Sequence, residues 1–211
     1  MSLIKYNNRS IKDLTTTPTA AGGGDTGALV HIKTLTASAS ATLSFVDGTD
    51  GVVLDSTYPI YKFEFINIHP SADDKLFMVN FSTDGGSNYN VTKTTTFFEV
   101  QHDEADSSTA FQYNTGADLA QSTGNMRLMF SLGTDNDQSC AGSMQLFNPS
   151  SSVFVKHFIS TCTVYHNADY ASQAYVAGYN NTTSPINGVR FEMNSGNIDA
   201  GKIKLYGIKD S

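Results

Sequence analysis

The sequence predicts an all-β protein, a jelly-roll-like antiparallel β-sandwich with an extended N-terminal arm. The first observation is that apolar and polar residues alternate with a period of two in segment after segment. The second is that clusters of Gly, Pro, Asn, Asp and Ser separate these segments at intervals of roughly ten residues. The third is composition: 211 residues with 16% charged and 11% aromatic residues are typical of a polar sheet surface over an aromatic core.

The first element is an arm and linker, residues 1–27. Its second half, "TTTPTAAGGGDTG", consists of small residues, one Pro and a Gly triplet, which cannot form a packed core element. We expect the arm to contact a neighbouring subunit or another partner protein. The alternative is a frayed terminus. The apolar residues available for such an assembly contact are Leu3, Ile4, Tyr6, Ile11 and Leu14.

The second element is a single domain, residues 28–211, in which strand follows strand. The strongest alternation is in "PIYKFEFINI" (59–68), where Phe63 and Phe65 share a face, and in "KLFMVNFST" (75–83). Further predicted strands are 28–36, 40–46, 89–101, 126–132, 142–148, 153–165, 172–179, 186–193 and 201–208. Only residues 109–123, "TAFQYNTGADLAQST", could hold a short helix, and Gly116 argues against it.

Charge and hydropathy exclude several classes of partner. The net charge of −7 would repel a phosphate backbone, and the sequence has no Lys/Arg cluster, so we expect no nucleic-acid binding. No apolar run is long enough to span a bilayer. The first residues lack the apolar core of a signal peptide. We therefore expect the chain to fold in a cytosol, with Cys140 and Cys162 as two free, buried thiols.

The segment "STDGGSNY" (82–89) resembles the Asp-box of sialidases and other propeller proteins. It occurs once, with Tyr89 at the Trp position, whereas a propeller would repeat it in each blade. The arginines that a sialidase would cluster around a substrate carboxylate are scattered along the chain. Turn chemistry explains Asp84-Gly85-Gly86, and we expect a hairpin that joins strand 75–83 to a strand starting near Tyr89.

The carboxylate runs offer two other kinds of chemistry. Asp103, Glu104 and Asp106 could supply the acid pair of a glycosidase, but a solvated turn is the simpler interpretation. Asp135-Asn136-Asp137 could donate oxygens to calcium, but the residues after Asp135 lack the Gly and Glu of an EF-hand loop. The sequence shows neither a Gly-x-Ser-x-Gly nucleophile motif nor a phosphate-binding loop. We therefore predict no catalytic residue, no metal ligand and no cofactor.

The segment "HNADYASQAYVAGYNN" (166–181) suggests a carbohydrate site, because sugar-binding sites combine aromatic rings with amides and carboxylates. If it contains a strand, Tyr175 and Tyr179 share one face. The alternative is that these rings are ordinary core or cross-strand residues. The candidate glycan-binding residues are Tyr170, Tyr175, Tyr179, Asn167 and Asp169.

Three segments together resemble a protein family. They are "YPIYKFEFINIHPSADDKLFMVNFSTDGGSNY", "MQLFNPSSSVFVKHFIS" and "INGVRFEMNSGNIDAGKIKLYGIKDS". They are similar to tail-fibre and other virion structural proteins of tailed phages, notably marine phages, and the ending Ser-Gly-Asn-Ile…Ile-x-Leu-Tyr-Gly-Ile is the most specific part. The resemblance covers residues 28–208 and leaves the arm outside.

The resemblance implies a jelly-roll-like sandwich on a virion surface. Our leading prediction is a non-enzymatic virion protein that folds in the host cytoplasm. It would be an outward-facing knob on a tail fibre or appendage, or a capsid decoration, docked to other virion proteins through its arm. We also predict a homotrimer, and this prediction rests only on analogy with knobs on other virions. The second hypothesis is a lectin-like adhesin for host surface glycans, and the third is a glycan hydrolase.

Overall fold

The structure, a computed structural model, describes residues 28–210 and is all-β and antiparallel throughout. The predicted arm, with Leu3, Ile4, Tyr6, Ile11 and Leu14, lies outside the described residues. The strands are β1 (Leu29–Thr36), β2 (Thr42–Val46), β3 (Ile60–Pro70), β4 (Lys75–Ser82), β5 (Lys93–Asp103), β6 (Thr109–Tyr113), β7 (Met126–Leu132), β8 (Cys140–Phe147), β9 (Lys156–His166), β10 (Tyr170–Asn180), β11 (Gly188–Met193) and β12 (Ile198–Ile208).

Every segment predicted as a strand contains one, and the boundaries differ by only a few residues. The additional strand is β6, which lies in the segment where a short helix was the alternative. Its pairing with β5, from Phe98 opposite Tyr113 to His102 opposite Thr109, decides against that helix. No helix among residues 28–210 is long and apolar enough to cross a membrane.

Eight of the strands form the predicted jelly roll. One sheet has the order β1-β12-β3-β8, and the other has the order β2-β11-β4-β7. The pairs β1·β12, β2·β11, β3·β8 and β4·β7 nest one inside the next, as in a long hairpin rolled onto itself. This nesting places successive strands of the eight in opposite sheets, except for the innermost pair β4 and β7, and it is the defining connectivity of a jelly roll.

Four further strands are inserted into this jelly roll, and we call β5, β6, β9 and β10 the inserted strands. The first pair lies between β4 and β7 in the chain, and the second lies between β8 and β11. They continue the first sheet past β8 in the order β9-β10-β5-β6. The result is an eight-stranded layer that extends beyond the four-stranded layer packed against it. The two layers are joined at one point, where Leu132 of β7 pairs with His166 of β9.

The core lies between the two sheets and is built from phenylalanine rings. Phe191 of β11 is at its centre, with ring centroids 5.3 Å from those of Phe63 and Phe65 in the opposite sheet. The rings of Phe45 and Phe77 complete the cluster at 6.2 and 5.9 Å. The contacts with Phe45 and Phe65 are edge-to-face, that with Phe63 is tilted and that with Phe77 is stacked. Aromatic pairs of these kinds stabilise a core beyond the burial of area alone.

The turn that the sequence predicted as a hairpin, Asp84-Gly85-Gly86, is a crossover between the sheets, and so is the turn between β11 and β12. Strand β4 pairs with β7 and β11 and not with β5, so Asp84-Gly85-Gly86 directs the chain from one sheet to the other. Likewise β12 pairs with β1 and β3 and not with β11. Gly201 does not form a tight hairpin there. It lies at an irregularity in β12 with φ +116°, where a Cβ atom would be 2.5 Å from the carbonyl oxygen of Asn67.

Cys140 and Cys162 are free and buried, as predicted. The neighbouring Cys162 thiol and burial raise the pKa of Cys140.

Candidate functional site

The candidate site is the side of the inserted strands that points away from the four-stranded sheet, which we call the outer face. The opposite side is fixed by core contacts: Phe158 of β9 stacks on Phe81 of β4, and Phe97 of β5 packs near Phe130 of β7. Because side chains alternate along a strand, the neighbouring positions point outward. The outer-face residues are Thr94, Thr96, Phe98, Val100, His102, Thr109, Phe111, Tyr113, His157, Ile159, Thr161, Thr163, Tyr165, Ala171, Gln173, Tyr175, Ala177 and Tyr179.

Aromatic rings form the centre of the outer face. Strand register places Phe98 directly opposite Tyr175 on one side and Tyr113 on the other. The Phe98 and Tyr175 rings are stacked, with centroids 4.7 Å apart and planes inclined by 8°. Phe111 meets the other edge of Phe98 at 5.9 Å and remains 76% exposed. Such an arrangement presents flat apolar rings to whatever binds there.

Two clefts flank this aromatic centre. A cleft of about 460 Å³ lies beside it, between Ile159, Ala177 and Thr96, and is closed at its end by His157 and Tyr179. A smaller one of about 190 Å³ lies between Ile159 and the Phe98–Tyr175 stack. Ile159, which borders both, is 53% exposed. The outer face therefore combines a protruding ring with a recess.

No outer-face residue, all of them among the described residues, is Asp, Glu, Lys or Arg. All four formally charged residues of the inserted strands lie on the opposite side and are buried: Lys93, Glu99, Asp103 and Lys156. Ordinary sandwich strands have the reverse pattern, with charges in solvent and rings in the core. We call this placement of every charged residue on the inner side, beside core rings such as Phe97 and Phe158, the inverted polarity of the inserted strands.

The buried charges are held by hydrogen bonds to loops. Lys93 Nζ donates to the carbonyl oxygens of Val91 and Gly124 at 2.9 and 2.7 Å. Burial lowers the pKa of Lys93 to about 8, because the charged amine has lost its water. Lys156 donates to the Thr182 carbonyl at 3.2 Å, and burial lowers its pKa too. Between them in the same cross-strand row lies Asn180, which is buried and whose side-chain amide has no hydrogen-bond partner within the described part of the chain.

The predicted glycan-binding residues separate into two groups. Tyr175 and Tyr179 lie on the outer face, on the same side of one strand, as predicted. Tyr170 begins β10 and packs against His166, with ring centroids 5.5 Å apart. Asn167 and Asp169 form the turn between β9 and β10, at one end of the outer face. Tyr170 also lines a third cleft of about 480 Å³ at that end.

Four outer-face residues were not predicted from the sequence as site residues: Phe98, Phe111, Tyr113 and Ile159. "TFFEV" places adjacent phenylalanines on opposite faces, so one of the two had to point away from the core. "TAFQY", if taken as a strand, puts Phe111 and Tyr113 on one side. The alternation in residues 109–113 indicates a strand, but the same residues were interpreted as part of a possible helix over 109–123.

Two acidic residues of the segment 103–106, Asp103 and Asp106, accept hydrogen bonds within the turn between β5 and β6. One Asp103 oxygen accepts the backbone N–H groups of Ser107 and Ser108 at 2.9 and 2.8 Å. The Ser107 hydroxyl and these N–H groups lower the pKa of Asp103. Asp106 accepts from His102 at 3.1 Å. Within residues 28–210, no group of three or more His, Cys, Asp or Glu is placed to hold a metal ion.

The Asp-box-like segment is an internally hydrogen-bonded turn. Asp84 accepts the backbone N–H of Asn88 at 2.9 Å and its side-chain amide at 2.7 Å. These bonds, the side-chain amide first, lower the pKa of Asp84 to about 2. Gly85 and Gly86 have φ values of +69° and +80°, which Gly adopts without strain. Tyr89 packs under the Arg190 guanidinium at 4.4 Å.

The fold and the site together define the class: a jelly roll whose inserted strands carry an uncharged aromatic face. Comparison with known proteins adds no relative, since no family model, no curated protein and no solved structure matches.

Proposed function

We propose that this chain is a non-enzymatic structural protein of a tailed-phage virion. It would fold in the host cytoplasm and form an outward-facing knob on a tail fibre or appendage, or a capsid decoration, docked through residues 1–27. The observation that carries the proposal is the uncharged, aromatic outer face on a jelly roll. Jelly rolls serve both as capsid and as lectin domains, so the fold alone does not choose between these functions.

The outer face supports an assembly role because it has the composition of an interface core. Interface cores are depleted in charged residues and enriched in aromatic ones. Solvent-exposed surfaces of soluble proteins rarely leave so many rings together. The use of Asp103 by a turn supports the non-enzymatic part of the proposal, since its oxygens are already hydrogen-bonded.

The proposal is tested on particles purified by density gradient from the lysate in which the chain is produced. An antibody raised against the full chain is used for blotting and for gold labelling. We expect the chain in the intact-particle band, with gold on the particle surface. A chain confined to the soluble fraction would refute the proposal.

The docking role of the arm is tested by substitution in the full chain. We expect Ile4→Asp combined with Ile11→Asp to abolish incorporation into particles, because each change removes an apolar side chain that could be buried on docking. The matched control is Lys5→Asp, also in the arm, which removes no apolar side chain. Equal incorporation of both variants would contradict docking through the arm.

The second candidate function is a lectin-like adhesin, and the stacked Tyr175 and Phe98 rings favour it because sugars stack on exposed rings. If the chain is an adhesin, Tyr175→Ala abolishes binding on a glycan array. Tyr206→Ala is the matched control, because Tyr206 is on the outer side of the same sheet but outside the inserted strands. Retained glycan binding by Tyr175→Ala would exclude this face as the sugar site.

A further inference from the structure

We propose that the outer face binds the outer face of a second copy of this chain. The inference rests on the proposed function and deepens it, because it names the partner of the same surface. In the proposed contact the sheets of two copies pack against each other, and the rings of each copy are buried against the other copy.

The first argument is charge. Each chain has a net charge of −7, so two copies repel one another through most of their surface. The outer face, which has no Asp, Glu, Lys or Arg, is a surface where two identical acidic chains can meet without placing like charges in contact. A basic partner protein, by contrast, would be attracted to an acidic surface.

The second argument is the inverted polarity of the inserted strands. Lys93, Glu99 and Lys156 are turned inward and buried, at a desolvation cost that shows in the lowered pKa of Lys93. Meanwhile Phe111 is 76% exposed and Tyr113 is 51% exposed. Both features are unfavourable for an isolated domain. Burial of the rings against a second copy recovers the hydrophobic free energy that the isolated domain leaves unused.

The third argument is size. Strands β5, β9 and β10 have eleven residues each, and β6 has five. At about 3.3 Å per residue and about 4.8 Å between strands, they cover on the order of 600 Å² before side-chain relief is counted. A stable interface buries about 800 Å² on each partner. Two sheets also pack face to face with side chains interdigitated, so a sheet is a natural partner for this surface.

The fourth argument is shape. Phe111 protrudes at one side of the Phe98–Tyr175 stack, and the cleft of about 460 Å³ beside Ile159 and Ala177 lies on the other. Measured along the strands, Phe111 and this cleft are about four residues apart, roughly 13 Å. A two-fold contact places the Phe111 ring of each copy in the cleft of the other, and the same contact is made twice.

A glycan fits the outer face less well. Sugar hydroxyls require amide and carboxylate partners, whereas the described residues of the outer face include one amide, Gln173, and no carboxylate. Asn167 and Asp169 lie at its end, in the turn between β9 and β10.

The test measures the mass of the full chain in solution by sedimentation equilibrium. We expect the native chain to reach at least twice its single-chain mass of 22.7 kDa. Phe111→Glu and Ile159→Lys should each return it to a single chain, because each places two like charges in the contact. A mixture of these two variants should regain the native mass, since the glutamate of one copy then meets the lysine of the other.

The matched control is Phe154→Glu. Phe154 is 70% exposed, like Phe111, but lies in the loop before β9 and lines neither of the two clefts beside the aromatic centre. We expect this variant to keep the native mass. Circular dichroism checks that each variant is folded. Substitutions at exposed positions usually change the free energy of unfolding by less than about 0.5 kcal/mol.

The inference is overturned if the native chain is a single chain at high concentration, or if Phe111→Glu keeps the native mass. A monomeric chain found in intact particles overturns this inference and leaves the proposed function standing. An oligomer that dissociates with Phe111→Glu but never enters particles supports this inference and refutes the proposed function. A monomer that binds glycans through Tyr175 overturns it in favour of the adhesin.

Discussion

Lys93 provides a quantitative test of the inverted polarity, through the pH dependence of stability. Its amine is fully buried and donates to the carbonyl oxygens of Val91 and Gly124. Burial lowers its pKa from 10.5 to about 8. The unfolded chain therefore binds this proton more tightly than the folded chain. The penalty is complete below about pH 8 and disappears as the pH rises through 10.5, so Lys93 makes stability increase across this window.

The size of the effect follows from the two pKa values. A difference between 10.5 and about 8 corresponds to about 3 kcal/mol, because each pKa unit is worth about 1.4 kcal/mol. Lys93→Met removes the titrating amine and keeps a side chain of similar length. The free energy of unfolding of the native chain should therefore rise by about 3 kcal/mol relative to the variant as the pH is raised through the window.

The assay is urea unfolding of both proteins at half-unit intervals from pH 7 to pH 10.5. Other titrating groups, including tyrosines, contribute equally and cancel in the difference between the two curves. Both proteins are compared at one concentration, so that any self-association is held fixed. A difference that stays constant over the whole range would refute the reasoning, because it would mean that the amine titrates alike in the folded and unfolded chains.

Three further predictions concern the core, a strained position and a turn. Phe191→Ala should lower the free energy of unfolding by about 3–5 kcal/mol in urea titrations, since it empties the centre of the ring cluster, whereas Phe154→Ala should change it by less than about 0.5 kcal/mol. Gly201→Ala should lower the melting temperature clearly, because its Cβ atom would be 2.5 Å from the Asn67 carbonyl oxygen at a φ of +116°; an unchanged melting temperature would contradict that geometry. Asp84 has a pKa of about 2, below its ordinary 3.8, so it stabilises the fold above pH 3.8 and this stabilisation is lost as the pH falls through 2. Asp84→Asn should therefore flatten the loss of stability between pH 4 and pH 2 in acid unfolding curves, and parallel curves would exclude the turn as its source.

The strands themselves were predictable because their signal is local. In β3, Tyr61, Phe63 and Phe65 alternate with Lys62 and Glu64, and any antiparallel sheet with one buried face must place the aromatic set inward. The same reasoning correctly put Tyr175 and Tyr179 on one side of β10. It could not say whether that side faced the core.

The candidate site was only partly predictable for the same reason. Phe97 and Phe98 are adjacent and equally apolar, so the sequence does not reveal which ring is buried. The packing of Phe97 near Phe130 decides it, and that contact spans two sheets. Phe111 and Phe98 come together only because β6 pairs with β5.

The sequence by itself determined the all-β class, the position of nearly every strand and the chemistry of the turns, because alternation and turn propensity act over a few residues. The tertiary structure alone decided which strands pair and which face is buried. Asp84-Gly85-Gly86 shows the difference: its residues require a turn, but whether the chain then returns beside β4 or crosses to the other sheet depends on β11 and β7, which already occupy both edges of β4. Pairing partners are chosen by burial across the whole domain, and that choice leaves an aromatic face without a partner among residues 28–210.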